Sequence, residues 1–142
     1  MIIAMEEAEK AVQDGNAPFG VVVADSSDEI IWRDHDRVKE NMDPTAHGEV
    51  NAIRGLCKKL GTTKLEGATF YTTSEPCPTC LTAMIKAKVS RSIYGAKTES
   101  DASLPLSAEE LASKSKKHPI EVSGGVLANE CREQRERLLS SS

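Results

Sequence analysis

The chain has 142 residues, which suits one domain with one sizeable core. With 39% hydrophobic and 28% charged residues it has the make-up of a soluble folded domain and not of a disordered or membrane one. The net charge of −4 speaks against a nucleic-acid-binding surface, and no apolar run nears the roughly 20 residues of a membrane span. The N-terminus turns acidic at Glu6 and Glu7 and carries no basic stretch, so no signal peptide is expected. Four cysteines, Cys57, Cys77, Cys80 and Cys131, include one C-x-x-C pair. That usage suits a reducing, cytoplasmic setting, with metal expected at the pair and buried free thiols at the other two.

Taken in order, Ile2, Met5, Ala8 and Val12 sit among Glu and Lys at helical spacing and predict a helix over residues 2–13, stopped by Asp14-Gly15-Asn16. The β-branched run 19–24 reads as a buried strand. A turn at 25–28 joins it to a second strand over 29–33, making a hairpin. Residues 34–44 read as a polar loop. A helix is predicted from about 47 to 60, capped by Asp43 or Thr45 and ended by Gly61, with Val50, Ile53, Leu56, Cys57 and Leu60 inward. A third strand over 68–73 precedes a helix opened by Cys77 and running to about 87. A fourth strand covers 89–95. The polar stretch 97–118 holds a short helix at 108–116, and 120–122 is either a fifth strand or an extended lead-in. Gly124-Gly125 turns the chain into a charged helix over 129–139, and the last three serines are expected to fray. Helices alternate with the later strands, so the fold class is α/β, a three-layer α/β/α sandwich in a single domain, 1–142.

Chemistry concentrates in His47-Gly48-Glu49 and Pro76-Cys77-Pro78-Thr79-Cys80. One imidazole and two thiolates suit Zn²⁺ and leave a fourth tetrahedral position for water. Glu49, two residues after the histidine, is placed to stand beside that water as a catalytic proton carrier. Zinc lowers the pKa of bound water to about 7, which supplies a nucleophile at neutral pH. Cysteines in the first turn of a helix are favoured as thiolates, and Pro76 and Pro78 fit such a start. A structural zinc site would be closed by four protein ligands, and neither His35 nor His118 has the spacing to be the fourth.

H-x-E…P-C-x-x-C is the signature of the zinc deaminases, and the sequence resembles the cytidine deaminase-like superfamily. The likeness to bacterial guanine deaminases and tRNA adenosine deaminases extends through Pro18-Phe19-Gly20, residues 43–50, Tyr71-Thr72-Thr73-Ser74-Glu75 and Gly124-Gly125-Val126-Leu127-Ala128-Asn129-Glu130-Cys131. It implies a five-stranded mixed sheet with helices on both sides and a homodimer. His-Gly-Glu is similar to fungal cytosine deaminase, where many purine members have Ala at the middle position. The family usually places a base-binding Asn eleven residues before the zinc histidine; here that position is Asp36. An ionised Asp only accepts hydrogen bonds, so the substrate is expected to show it an N–H or NH₂, as a triazine or an oxidised purine would. The alternatives are a protonated Asp36, or a one-residue shift that brings His35 or Arg37 into the pocket.

The remaining substrate candidates are Phe19 as a wall, Ser74, whose backbone faces the leaving amine in the family, and Trp32 as a stacking surface or interface anchor, with core packing the plainer reading. The basic residues fall in two small sets, Lys86, Lys88 and Arg91, and Lys114, Lys116, Lys117 and His118, which read as solvated surface. The terminal helix lacks the aromatic ending of tRNA deaminases, and Glu99-Ser100-Asp101-Ala102 replaces their glycine-serine segment. The expected function is hydrolytic deamination of a small amino-heterocycle, with no nucleic acid or membrane partner. The alternatives are a tRNA adenosine deaminase, an inactive zinc-binding partner subunit and a redox C-x-x-C protein.

Overall fold

The computed structural model describes residues 1–98 and 104–141. Helix α1 (Ile2–Gln13) leads into strands β1 (Gly20–Ala24) and β2 (Ile30–His35). A short helix α2 (Val38–Asn41), helix α3 (Gly48–Leu60), strand β3 (Thr69–Ser74), helix α4 (Pro78–Lys86) and strand β4 (Arg91–Ala96) follow. Helix α5 (Ala108–Ser113), strand β5 (Glu121–Ser123) and helix α6 (Ala128–Ser140) complete the chain. The five strands lie in the order β2-β1-β3-β4-β5. β1 is antiparallel to β2 and β3, while β3, β4 and β5 run parallel, so the sheet is mixed.

Helices α1 and α6 cover one face of the sheet, and α3, α4 and α5 cover the other. This is the three-layer arrangement expected from helices alternating with strands. β1 is buried along its whole length, as its unbroken Val21-Val22-Val23 run requires of a strand covered on both faces. Val21, Val23, Phe70, Leu56, Leu81 and Met84 form the core between the sheet and the α3–α4 layer. The first face is sealed by close backbone packing at Gly20. A Cβ there would stand 1.9 Å from the Ala4 carbonyl oxygen, so only glycine lets α1 settle onto β1.

Several boundaries differ from the sequence expectation, each for a physical reason. The stretch 34–44 is not a plain loop: β2 continues to His35, and α2 makes a helical turn. The polar side chains there are tied to the rest of the fold: Arg37 Nε donates to Asp34 at 2.8 Å, and Asn16 Nδ2 donates to Glu40 at 2.9 Å. Neither Asp43 nor Thr45 caps α3; His47 occupies the N-cap, and Asp43 instead accepts from the Thr45 amide and hydroxyl in a local turn. The segment 121–123 pairs in parallel with β4 and is a true fifth strand. Cys131 is buried, whereas Cys57 is only half-buried. Ser140 still belongs to α6, and the Ser140 and Ser141 hydroxyls both donate to the Arg137 carbonyl. Ser142 and the segment Glu99-Ser100-Asp101-Ala102 lie outside the described residues.

Candidate metal centre and its surroundings

Two helix N-termini meet at the centre. His47 is the N-cap of α3 and Cys77 the N-cap of α4, with Pro78 in the first turn, where its missing N–H is harmless. Cys80 follows one turn into α4 and is buried. His47 Nδ1 lies 3.3 Å from Cys80 Sγ and 3.7 Å from Cys77 Sγ. All three ligand atoms lie within 4.8 Å of one another. Zn–N and Zn–S bonds of ordinary length at a tetrahedral angle put N and S about 3.6 Å apart, so the donor set fits a zinc ion with little movement. Among the described residues no fourth His, Cys, Asp or Glu joins the group.

The protons on these side chains are arranged by the same geometry. The Cys80 thiol donates to the Cys77 sulfur and holds Cys77 as a thiolate down to about 4, against the opposing effect of burial and with His47 and the Cys80 amide adding to it. The bond to Cys77 keeps His47 protonated up to about 9, again against burial. Cys80, buried and donating to its neighbour, is held firmly as a thiol. Glu49, in the first turn of α3, is buried beside these groups and within hydrogen-bond reach of Cys80; burial raises its carboxyl above the usual range.

The loop before His47 completes the surroundings. Asp36 is 4% exposed, accepts from the Val38 amide at 3.3 Å and lies within electrostatic reach of His47. Burial raises its pKa, while the amide bond and the nearby His47 charge oppose the rise. The residues on either side of Asp36 have partners elsewhere. His35 turns to Glu7, and Arg37 turns to Asp34 and Glu40. Phe19, half-buried, accepts from the Asp36 amide through its carbonyl at 3.0 Å, which places its backbone beside Asp36. Asn51, one turn into α3, donates to the His35 and Ala46 carbonyls and pins the loop from inside.

Ser74 ends β3, two residues before Pro76, and its hydroxyl accepts from Arg135 at 2.7 Å. Arg135 also donates to the Lys97 carbonyl and so ties α6 to this rim; alternating charge in α6 gave no sign of that role. Trp32 is not brought to the centre. Its indole packs on Gly55, where a Cβ would stand 2.1 Å from the ring, and its N–H donates to Asp34 at 3.1 Å. Gly55 lies about two turns along α3 from His47. A glycine in mid-helix was the available signal that something large approaches there.

A family profile described as the cytidine and deoxycytidylate deaminase zinc-binding region matches residues 1–96. The chain is 38% identical over 128 residues to the tRNA-specific adenosine deaminase of Bacillus subtilis (strain 168), a match covering 90% of this chain and 79% of that protein. It is 45% identical over 80 residues to the guanine deaminase of the same organism, covering 56% of this chain and 50% of that one. A solved structure from a study of A-to-I editing by tRNA deaminases at the wobble position of transfer RNA superposes with a TM-score of 0.82 at 32% identity, over 94% of this chain and 96% of that one. The chain therefore belongs to the zinc-dependent cytidine and deoxycytidylate deaminase family, whose members are hydrolases of carbon–nitrogen bonds.

Proposed function

We propose that His47, Cys77 and Cys80 hold the zinc ion, that Glu49 is the catalytic proton carrier, and that the substrate is a small amino-substituted nucleobase or related heterocycle. The observation that carries this reading is the three-ligand cluster with a buried, non-ligating carboxylate beside it. Zinc bound there lowers the pKa of a water to about 7. Glu49 would take one proton from the attacking water and give it to the ring nitrogen beside the amine, then take the second proton from the added oxygen and give it to the departing nitrogen, which leaves as ammonia. Asp36, buried and within electrostatic reach of His47, reads the edge of the ring, and the Phe19 backbone supports it. Ser74 borders the leaving group, with Arg135 fixing its hydroxyl.

The charge distribution supports a small substrate. Lys86 closes α4 at the end remote from Cys77, and Arg91 is engaged by Thr69, so that basic set does not face the centre. A second reading, deamination of adenosine in tRNA, is favoured by the relative of that activity across 90% of the chain and by the Arg135 and Lys97 pair beside Ser74. A homodimer is part of the proposal; Met42, 87% exposed just upstream of His47, is a residue such an interface would cover. Sedimentation analysis checks the dimer.

The deciding experiment is ammonia release from the zinc-loaded chain, screened over purines, pyrimidines, pterins, triazines and a tRNA anticodon stem. Saturable release from a free base without salt dependence is the expected result. Release from the RNA alone, falling steeply with salt, selects the second reading. No release from any of them, with zinc bound, leaves a catalytically silent partner subunit.

A further inference from the structure

A second group of ligand-type side chains sits where α1 and β2 end and α2 begins. One donor atom each of Asp14, His35 and Glu40 lies within 4.8 Å of the other two. His35 is buried, its side chain 5% exposed, and so is its partner Glu7. The His35 Nδ1 stands 2.9 Å from Glu7 Oε1, and Lys10 stands 2.9 Å from the other Glu7 oxygen. An ionised carboxylate only accepts, so Nδ1 is the donor to Glu7 and Nε2 is the ring atom left to hold a ligand. That Nε2 is buried without a hydrogen-bond partner, and the Asp14 carboxylate lies 3.7 Å from it. A buried polar atom left unpaired costs about 1–3 kcal/mol, which gives the site a reason to take a ligand.

The arrangement Glu7–His35–lone pair is the one that metal-binding histidines use, with a carboxylate on the far nitrogen fixing the tautomer and raising ligand basicity. The local charge is unbalanced in the same sense. Glu7, Asp14, Asp34 and Glu40 face Lys10 and Arg37. Glu40 Oε1 already accepts from Asn16 and Arg37, which orients the carboxylate and competes for part of its charge. Ligand atoms on a common ion at ordinary bond lengths stand about 3–3.4 Å apart; His35 Nε2 and Asp14 are close to that at 3.7 Å, all three donors lie within 4.8 Å, and Asp14, whose side chain is 56% exposed, is free to close in.

We propose that Asp14, His35 and Glu40 form a second divalent-cation site, separate from the thiolate centre and suited to a first-row ion that accepts one imidazole and two carboxylates, such as Mn²⁺ or Co²⁺. The ion fastens the end of α1 to the β2–α2 corner, and the next residue along the chain is Asp36. The site is therefore also a brace for the loop that approaches the zinc centre.

The test is a titration of the full, zinc-loaded chain with Mn²⁺, followed by electron paramagnetic resonance and by metal analysis. One Mn²⁺ per chain with zinc content unchanged is expected. The Asp14→Asn/Glu40→Gln double variant changes two carboxylates at the surface, so it keeps its fold and its zinc but loses the Mn²⁺. Glu7→Gln weakens binding about 10–100-fold. With Co²⁺ in place of both metals, the second equivalent adds no thiolate-to-cobalt absorption band. Absence of Mn²⁺ and Co²⁺ binding beyond the thiolate centre overturns the proposal, as does Mn²⁺ binding that the double variant retains at full strength.

Discussion

The thiolate centre and the acidic corner around His35 are neighbours along the chain, since His35 is followed by Asp36, which lies within reach of His47. They are built in opposite ways. The centre takes its ligands from two short motifs, each at a helix N-terminus, and its polar groups pair with one another. The corner draws on Glu7, Asp14, Asn16, Asp34, His35, Arg37 and Glu40, single residues scattered over three elements and the turn after α1 with no common motif. The reaction is thus encoded in local spacing. The loop that carries Asp36 rests on polar pairs outside the two motifs, and such pairs can be re-dealt without touching His47, Cys77 or Cys80.

This division can be broken at several points. The largest expected effect is at Glu49. Glu49→Gln should bind zinc as the parent does and lose about 10²–10⁴-fold in turnover, measured by ammonia release against metal content. Loss of zinc in that variant would show Glu49 to be part of the ligand set.

The next effect is on metal uptake. In the metal-free chain His47 is protonated up to about 9, Cys80 is a thiol and Cys77 is already a thiolate. Zinc loading near neutral pH therefore expels two protons, one from His47 and one from Cys80. Because both protons compete with the ion, apparent affinity falls as pH falls, by about a hundredfold per unit around neutrality, and the dependence on His47 flattens above about 9. A competition titration with a chelator across that range checks the slope; a slope of one proton would mean that one of the two groups is already deprotonated.

Asp36→Asn probes the boundary between the two regions. It restores a group that can both donate and accept, and should shift the ranking of substrates by about 1–3 kcal/mol between bases that offer a donor and bases that offer an acceptor to this position. An unchanged ranking on the same panel removes Asp36 from recognition. The smallest effect on chemistry belongs to Gly55→Ala. The new methyl overlaps the Trp32 ring, so stability should drop by about 1–3 kcal/mol in a denaturant melt, while KM stays at the parent value. A raised KM would return Trp32 to the substrate site.

The same contrast explains what was legible before the structure. β1 can be read from its β-branched run, α3 from its apolar spacing and terminal glycine, and the grouping of His47, Cys77 and Cys80 with Glu49 beside them from motif spacing. Counting back from His47 singles out Asp36, which lies within electrostatic reach of that histidine. The stretch 34–44 looked like loop because its order comes from Glu7, Asn16 and Asp34, whose pairing leaves no periodic pattern. For Trp32 the sequence leaves a stacking surface, an interface anchor and core packing open, core packing being the plainest; the ring fills a gap opened by Gly55 on the neighbouring helix. Arg135 reaches Ser74 across 61 residues, a contact that the charge alternation of α6 could not disclose.

The positions of His47 and Cys77 as the caps of α3 and α4 have one more consequence. These helices pack against each other through the same core layer that includes Leu56, Leu81 and Met84. The imidazole rides on one and both sulfurs on the other, so the gap that receives the metal is a gauge of the spacing between two helices. A change of side-chain volume deep in that layer, far from any ligand, should register at the surface as a change in how tightly zinc is held.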